Sequence, residues 1–279
     1  MRNKKWDSKG IIRSILLLFL SFLMVYPLLW MASNAFKDAA TILSNPASLA
    51  PDFLSFKNFA GVFELGPFDL YIFNSIFTAL VIVIVQLILS ALMAYGLVFF
   101  HFKGKKFLYT SILLTYMLPV ATTYVPSFVI LAQMGLLDTL TGLIVSNIAS
   151  VFSIFYLVQT FRSVPIELVE AGQVEGANSW QILWRIIVPY SRSAILTTAL
   201  INFVTHYNNY MWPSLIISSE AKMLVSNGLN QLFTTQGNFI DNLPRLMAAN
   251  TLVVVPLLIL FVLLQKWFVQ GISGSGTKG

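Results

Sequence analysis

The sequence predicts an all-α integral membrane protein with six transmembrane helices, both termini cytoplasmic, and a helical cytoplasmic loop between the fourth and fifth spans. Three observations carry that expectation. Of 279 residues, 57% are hydrophobic and 10% charged, where an average soluble domain has roughly 25% charged residues. The charges cluster and leave long charge-free runs, in which a helix can lie in hydrocarbon without burying an ion. Most of the 17 Lys and Arg residues fall in alternate connections between those runs, the asymmetry that retains such connections on the cytoplasmic side.

The runs lie at residues 11–35, where the one charge is Arg13 close to the start, and at 70–99, 107–134, 139–161, 193–217 and 246–265. Each has about 20 residues or more, enough to cross a hydrocarbon core of roughly 30 Å. The first follows Arg2, Lys4, Lys5 and Lys9 in the manner of a signal peptide, but its apolar stretch exceeds an ordinary signal core, so it reads as an uncleaved helix. Basic residues recur on the same side at Lys103, Lys105, Lys106, Arg162, Arg185, Arg192, Lys266 and Lys278. The opposite side has residues 36–69 and 218–245 as its longer connections and a short turn from Gly135 to Asp138. Pro27, Pro119, Pro126, Pro213 and Pro256 mark places where spans can kink.

The connection between the fourth and fifth runs, residues 163–190, is too long and too patterned for a turn. Ser163 and Pro165 suit a helix start, and Glu167 and Glu170 place negative charge near its positive end. Gly176 can take the left-handed conformation that stops this helix, after which Asn178 or Ser179 can cap a second one running through Trp180 to Ile187. Leu168, Ala171, Gly172 and Glu175 recur at helical spacing, a small-residue stripe edged by acid that suits a partner's groove.

Glu170-Ala171-Gly172, three residues, Gly176, nine residues, Ile186, one residue, Val188-Pro189 resembles the EAA coupling signature of ABC importer permeases. The resemblance implies that Glu170, Ala171, Gly172, Glu175, Gly176, Ile186 and Pro189 form a coupling site that docks into a cleft of a cytoplasmic ATPase subunit. Glu170 would meet a basic group there, Gly176 would make the turn, and Pro189 would sit where the chain re-enters the membrane. Gly172 stands where a second Ala is usual, and Val188 where Leu is. The glycine lowers helix propensity by roughly 1 kcal/mol relative to Ala and is expected to loosen the loop.

Tyr26-Pro27-Leu28-Leu29-Trp30, Phe36-Lys37, Asn74-Ser75, Phe102-Lys103-Gly104-Lys105-Lys106, Gly135-Leu136 and the tail at 266–279 are similar to carbohydrate-importer permeases of the maltose G-subunit type. By that resemblance Gly274, Gly276 and Lys278 contact the ATPase dimer. The implied partners are a second homologous permease, two cytoplasmic ATP-binding subunits holding ATP and Mg, and an extracytoplasmic sugar-binding protein, at a bacterial plasma (inner) membrane. Oligosaccharide is the expected cargo; glycerol phosphate or another polyol derivative is the alternative.

Within the runs, Asn74, Gln86, Asn147, Gln159, Asn202 and Asn250 read as bonds between helices, because polar atoms left unsatisfied in lipid are costly. Asn202, His206, Tyr207, Asn208, Asn209, Tyr210 and Trp212 form a denser cluster and a candidate substrate pathway, since amides bond hydroxyls and aromatic faces stack on sugar rings. Direct sugar contact and a structural role both stay open for it. In the similar permeases the position of Tyr207 is commonly Trp and that of Asn209 often acidic.

Other chemistry finds no support. The chain has no Cys, which removes disulfides and thiolate nucleophiles. It has no phosphate-binding Gly-Lys-Ser/Thr loop, so ATP hydrolysis is expected in partner subunits and no cofactor or catalytic residue in this one. His101 and His206 alone make no metal site. The net charge of +6 comes from residues flanking apolar runs, not from a basic face that would hold nucleic acid. A secondary transporter or channel is the competing class, and an intramembrane enzyme ranks below both.

Overall fold

Charge-free sequence becomes helix almost throughout. A computed structural model describes residues 8–50, 55–235 and 239–273, and all regular elements among them are helical. In chain order they are α1 (Ser8–Asn34), α2 (Ala39–Ser44), α3 (Lys57–Val62), α4 (Phe68–Phe99), α5 (Lys105–Tyr116), α6 (Val120–Gln133), α7 (Leu140–Val145) and α8 (Val151–Arg162). There follow α9 (Ile166–Val174), α10 (Ser179–Ile182), a π turn at Leu183–Ile187, α11 (Val188–Tyr190), α12 (Arg192–Tyr207) and α13 (Met211–Ile216). A 3-10 turn at Glu220–Lys222, α14 (Val225–Thr235) and α15 (Phe239–Ser273) complete the described chain.

Among the described residues, three helical stretches are each long and apolar enough to cross a membrane: Gly10–Asn34, Phe68–Phe99 and Asn242–Lys266. Two further pairs meet that test only jointly and are sharply bent, Lys105–Tyr116 with Val120–Gln133 by 100° and Ser179–Tyr190 with Arg192–Tyr207 by 79°.

The chain divides into two compact units. The first comprises Met1–Phe68 and Leu229–Val255. In it α1 exposes apolar side chains along most of its length, the pattern expected of a helix surrounded by lipid. The connection after it folds back on the helix end. Trp30 Nε1 donates to the Pro46 carbonyl at 2.5 Å and Ser33 Oγ to Leu49 O at 2.5 Å. Asn58 Nδ2 reaches the Ala35 and Lys37 carbonyls at 2.9 and 2.8 Å, and the buried Lys37 donates to Ser48 O. Loop carbonyls thereby find donors without a separate domain.

The second unit comprises Asp69–Gly228 and Pro256–Gly279. Here three runs expected as single spans are each interrupted, and each break has a local cause. Between α5 and α6 stands Leu118-Pro119: proline lacks the amide that would continue the ladder and pushes Leu118 away from helical geometry. Between α7 and α8 short polar side chains compete for the backbone. Thr139 caps α7 through Gly142 N at 2.9 Å, Ser150 caps α8 through Ser153 N at 3.2 Å, and Asn147 Nδ2 folds onto Leu143 O at 2.8 Å. Between α12 and α13 lie Asn208 and Asn209, which favour turns over helix interiors. Of the prolines marked as possible kinks, only Pro119 stands at one of these breaks; Pro27 and Pro126 lie inside continuous helices.

The freed backbone groups are recovered by side chains, as buried non-helical backbone requires. Gln86 Nε2 donates to Asn147 O at 2.6 Å, Ser226 Oγ to Asn209 O at 2.8 Å, and Asn227 Nδ2 to Tyr210 O at 3.4 Å. Asn74 Nδ2 likewise donates to Ala221 O and Met223 O at 3.0 and 3.1 Å.

Asp138 closes the turn after α6 in the left-handed region, at φ 53°, a conformation that Asp tolerates through local bonding. Its carboxylate accepts from the Ser218 and Ser219 amides at 3.0 and 2.8 Å, from the Ser219 hydroxyl, and from Lys222 Nζ at 3.1 Å. These bonds, that from the Ser219 hydroxyl first, hold the carboxyl well below the usual carboxylate range.

Candidate functional site

The stretch at 163–190 is a helical hairpin. Pro165 takes the N-cap position of α9 without a side-chain bond, and Glu167 lies in the first turn. Gly176, at φ +83°, reverses the chain. Asn178 then forms a reciprocal capping box with Gln181: the Asn178 amide donates to Gln181 Oε1 and the Gln181 amide to Asn178 Oδ1, both at 2.9 Å. The second helix starts as expected but widens into a π turn at Leu183–Ile187, where the Val188 amide bonds back to Leu183 O. Pro189, next in the chain, has no amide to continue the ladder. At Ser191 the chain bends and α12 begins.

The hairpin has two faces. Val169, Ile182, Leu183 and Ile187 are buried in one cluster with Ala91, Ala94 and Leu97 of α4 and Leu157, Val158 and Phe161 of α8. Outward stand Ile166, Leu168, Val174 and Trp180, with Glu167, Glu170, Ala171 and Glu175 among them. Val174 is 89% exposed, the most exposed large apolar side chain among the described residues.

Gly172 corrects the expectation of a loosened loop. It is buried, and a Cβ there would lie 2.6 Å from Ile186 Cδ1. The missing side chain lets α9 approach the second helix closely, tightening the hairpin at the expense of helix propensity. Of the stripe read from the sequence, Leu168, Ala171 and Glu175 face out while Gly172 faces in. Gly274, Gly276 and Lys278 lie outside the described residues.

The candidate pathway residues separate into distinct settings. Asn202 is buried and donates to Ser153 Oγ of α8 at 2.7 Å. His206 Nε2 lies 3.0 Å from Gln86 Nε2 and 3.3 Å from Gln86 Oε1. Tyr207 is buried and stacked on Phe203 with centroids 5.8 Å apart. Trp212 is buried, donates to Ser146 Oγ at 2.9 Å and stacks on Tyr124 at 5.3 Å. Asn208 terminates α12, while Asn209 and Tyr210 offer their carbonyls to Ser226 and Asn227.

Only Asn202 and His206 of that cluster line a mixed cleft of ≈ 440 Å³, together with Gln86, Ser146, Asn147, Ser150 and Thr205, the aliphatic Ala149 and Ile201, and the aromatic rings of Tyr116 and Phe152. Among the described residues, its lining holds no carboxylate, lysine or arginine. A cleft of amides, hydroxyls and rings binds polyhydroxylated molecules by hydrogen bonds and stacking without fixing a charge. Sequence reading had singled out Gln86 and Asn147 as helix-to-helix bonds; Ser146, Ser150 and Thr205 were missed, because single hydroxyls in apolar helices usually bond their own backbone.

Comparison with known proteins agrees with this architecture. The arabinooligosaccharides transport system permease protein AraQ from Halalkalibacterium halodurans is 28% identical over 264 residues, covering 94% of each chain. The sn-glycerol-3-phosphate transport system permease protein UgpE from Yersinia pestis bv. Antiqua (strain Antiqua) is 30% identical over 267 residues, covering 94% of this chain and 95% of that one. A crystal structure of a bacterial ABC transporter involved in the import of the acidic polysaccharide alginate contains a similar fold, with a TM-score of 0.82 at 22% identity over 95% of this chain and 100% of that one. Residues 86–274 match the family described as binding-protein-dependent transport system inner membrane component. With that match over most of its length, the chain belongs to this family of multi-pass inner membrane permeases.

Proposed function

We propose that the chain is the permease subunit of an ATP-driven importer for carbohydrate, most readily an oligosaccharide, with six spans and both termini in the cytoplasm. A second homologous permease, two cytoplasmic ATP-binding subunits carrying ATP and Mg, and an extracytoplasmic sugar-binding protein complete the importer. The observation that carries the reading is the two-faced hairpin: an outward face of acids and exposed apolar groups, and an inward face buried among the ends of α4 and α8. Glu170, Ala171 and Glu175 present the docking surface, Gly172 and Ile186 hold the two helices together, Gly176 sets the turn, and Pro189 precedes the bend into α12. ATP-driven closure of the docked subunits then moves a packed block, not a mobile loop, and the spans reorient with it. The tail through Gly274, Gly276 and Lys278 adds a second contact with the ATPase.

Cargo passes by the cleft, where Asn202 and His206 together with Gln86 and Thr205 supply bonding groups. Similarity to UgpE favours glycerol phosphate as the second reading; the absence of Lys and Arg from the cleft lining favours the neutral sugar. The test is ATP-dependent uptake by vesicles containing the whole complex, over a panel of sugars and glycerol phosphate first screened on the binding protein. Glu170→Gln and Gly176→Val should each abolish uptake, the latter because a β-branched residue at positive φ costs about 1–2 kcal/mol or more. Undiminished uptake by both variants, or uptake by this chain alone on an ion gradient, would overturn the reading.

A further inference from the structure

The cations of Phe102-Lys103-Gly104-Lys105-Lys106 are given no part in coupling or in the cargo cleft above, yet the fold gathers two of them, Lys105 and Lys106, with Arg162. Leu97 from the end of α4, Phe102 from the connection, Lys105, Lys106 and Tyr109 from the start of α5, and Arg162 from the end of α8 line a hollow of ≈ 460 Å³. Three helix ends thus meet where apolar sequence gives way to charge. Arg162 is held in place by its guanidinium carbon 5.5 Å from the Tyr109 ring centroid, a cation–π arrangement. Lys105 Nζ donates to Val98 O at 3.2 Å and Phe100 O at 3.0 Å, finishing α4. Among the described residues, no carboxylate is ion-paired with Lys105, Lys106 or Arg162, although the same residues contain ion pairs elsewhere. Lys106 and Arg162 are exposed at the rim, and Phe102, 44% exposed, stands beside them. The hollow therefore combines uncompensated positive charge, an apolar floor and an aromatic edge.

We propose that this hollow binds the phosphate headgroup of an anionic phospholipid. Cations at the end of membrane-spanning helices lie at headgroup depth, and basic pockets between such helices accept phosphate-bearing headgroups. The apolar floor and Phe102 accommodate the start of the acyl chains, which a free phosphate does not have. Lys106 and Arg162 contact the headgroup; Lys105 is a positioning residue that also fixes the end of α4. The site needs the membrane-spanning part of the reading above but not the ATPase coupling.

The test uses the intact importer complex in vesicles, measuring selectivity for spin-labelled phosphatidylglycerol over spin-labelled phosphatidylcholine. Each surface cation contributes about fivefold to binding of an anionic lipid, so Lys106→Gln with Arg162→Gln should lower phosphatidylglycerol affinity roughly thirtyfold and leave phosphatidylcholine unchanged. Lys106→Arg should retain selectivity, and millimolar inorganic phosphate should not displace the lipid. Glu170→Gln, aimed at ATPase docking, should leave lipid selectivity intact, which separates failure of this site from failure of the coupling reading. The proposal is overturned if the native complex does not prefer phosphatidylglycerol, if the double variant keeps the preference, or if inorganic phosphate displaces the lipid. It is equally overturned if the double variant releases the ATPase subunits while lipid selectivity is unchanged, since the cations would then serve a protein partner.

Discussion

Replacing Gly172 tests the hairpin at its tightest point. An alanine Cβ would stand 2.6 Å from Ile186 Cδ1, about 1 Å closer than ordinary carbon contact. That atom is the tip of a flexible side chain, so Ile186 can turn aside at a cost of about 0.5–1.5 kcal/mol. Alanine recovers roughly 1 kcal/mol of helix propensity, and the two effects nearly cancel. Gly172→Ala should therefore assemble and transport almost as the native chain does. Leucine has no such escape. Its further carbons would enter a layer formed by Ile182, Leu183 and Ile187, which are 2%, 1% and 0% exposed, and overpacking of this kind costs about 1–3 kcal/mol. Charged to the docking geometry, that weakens ATPase association by roughly five- to more than a hundredfold. Co-purification of the ATPase subunits and ATP-dependent uptake in vesicles measure both. Adding Ile186→Ala to Gly172→Leu should restore part of the loss by vacating the clashing volume. Native assembly by Gly172→Leu, or failure of Ile186→Ala to rescue it, would refute packing through this pair.

Four further outcomes follow from the same fold. Asn178→Ala removes one half of the capping box and should destabilise the start of the second helix by about 1 kcal/mol, seen as faster amide hydrogen exchange at Ser179–Ile182. A double-mutant cycle of Asn202→Ala and Ser153→Ala should return a coupling of about 0.6 kcal/mol in thermal unfolding, the average for a bond between membrane helices; zero coupling would argue against the 2.7 Å bond. Thr205→Trp should fill the cleft and stop uptake while ATPase association persists. Asp138 titrates below its unfolded value, so its bonds contribute fully above about pH 4 and are lost as pH falls through the depressed folded value. The melting-temperature gap between native protein and Asp138→Asn should therefore be constant from neutral to about pH 4 and close in stronger acid.

The hairpin was legible because its signals are local. Gly176, Asn178 and Gln181 define turn and cap within a few residues: Gly176, without a Cβ, takes the positive φ of the turn, and the two amide side chains bond the backbone at the helix start. The interruptions at 117–119, 146–150 and 208–210 were harder to read, since hydropathy reports what can enter lipid and says nothing of the backbone's path through it. Pro119 was flagged, but Pro27 and Pro126, flagged on the same grounds, sit within intact helices, because tertiary packing decides which proline bends a chain. The cleft was only partly visible for a related reason: Gln86 and Asn147 stand 61 positions apart, and a single chain read in order gives no measure of that proximity. Gly172 shows the opposite error, in which propensity was read correctly but the close neighbour that favours a small residue there, Ile186, lies beyond the turn on the second helix.

The π turn at Leu183–Ile187 has a consequence for how the two ends of this segment are matched. In a regular α-helix one surplus residue rotates everything beyond it by about 100°; a π turn absorbs the surplus where it occurs. The angular phase of the hairpin, set by Ile182 and Leu183 against α4 and α8, is thereby uncoupled from that of α12, set by Asn202 against Ser153. Each surface can exchange residues to suit its own neighbours without turning the other out of register, so the hairpin and the helix that lines the cleft are free to diverge separately.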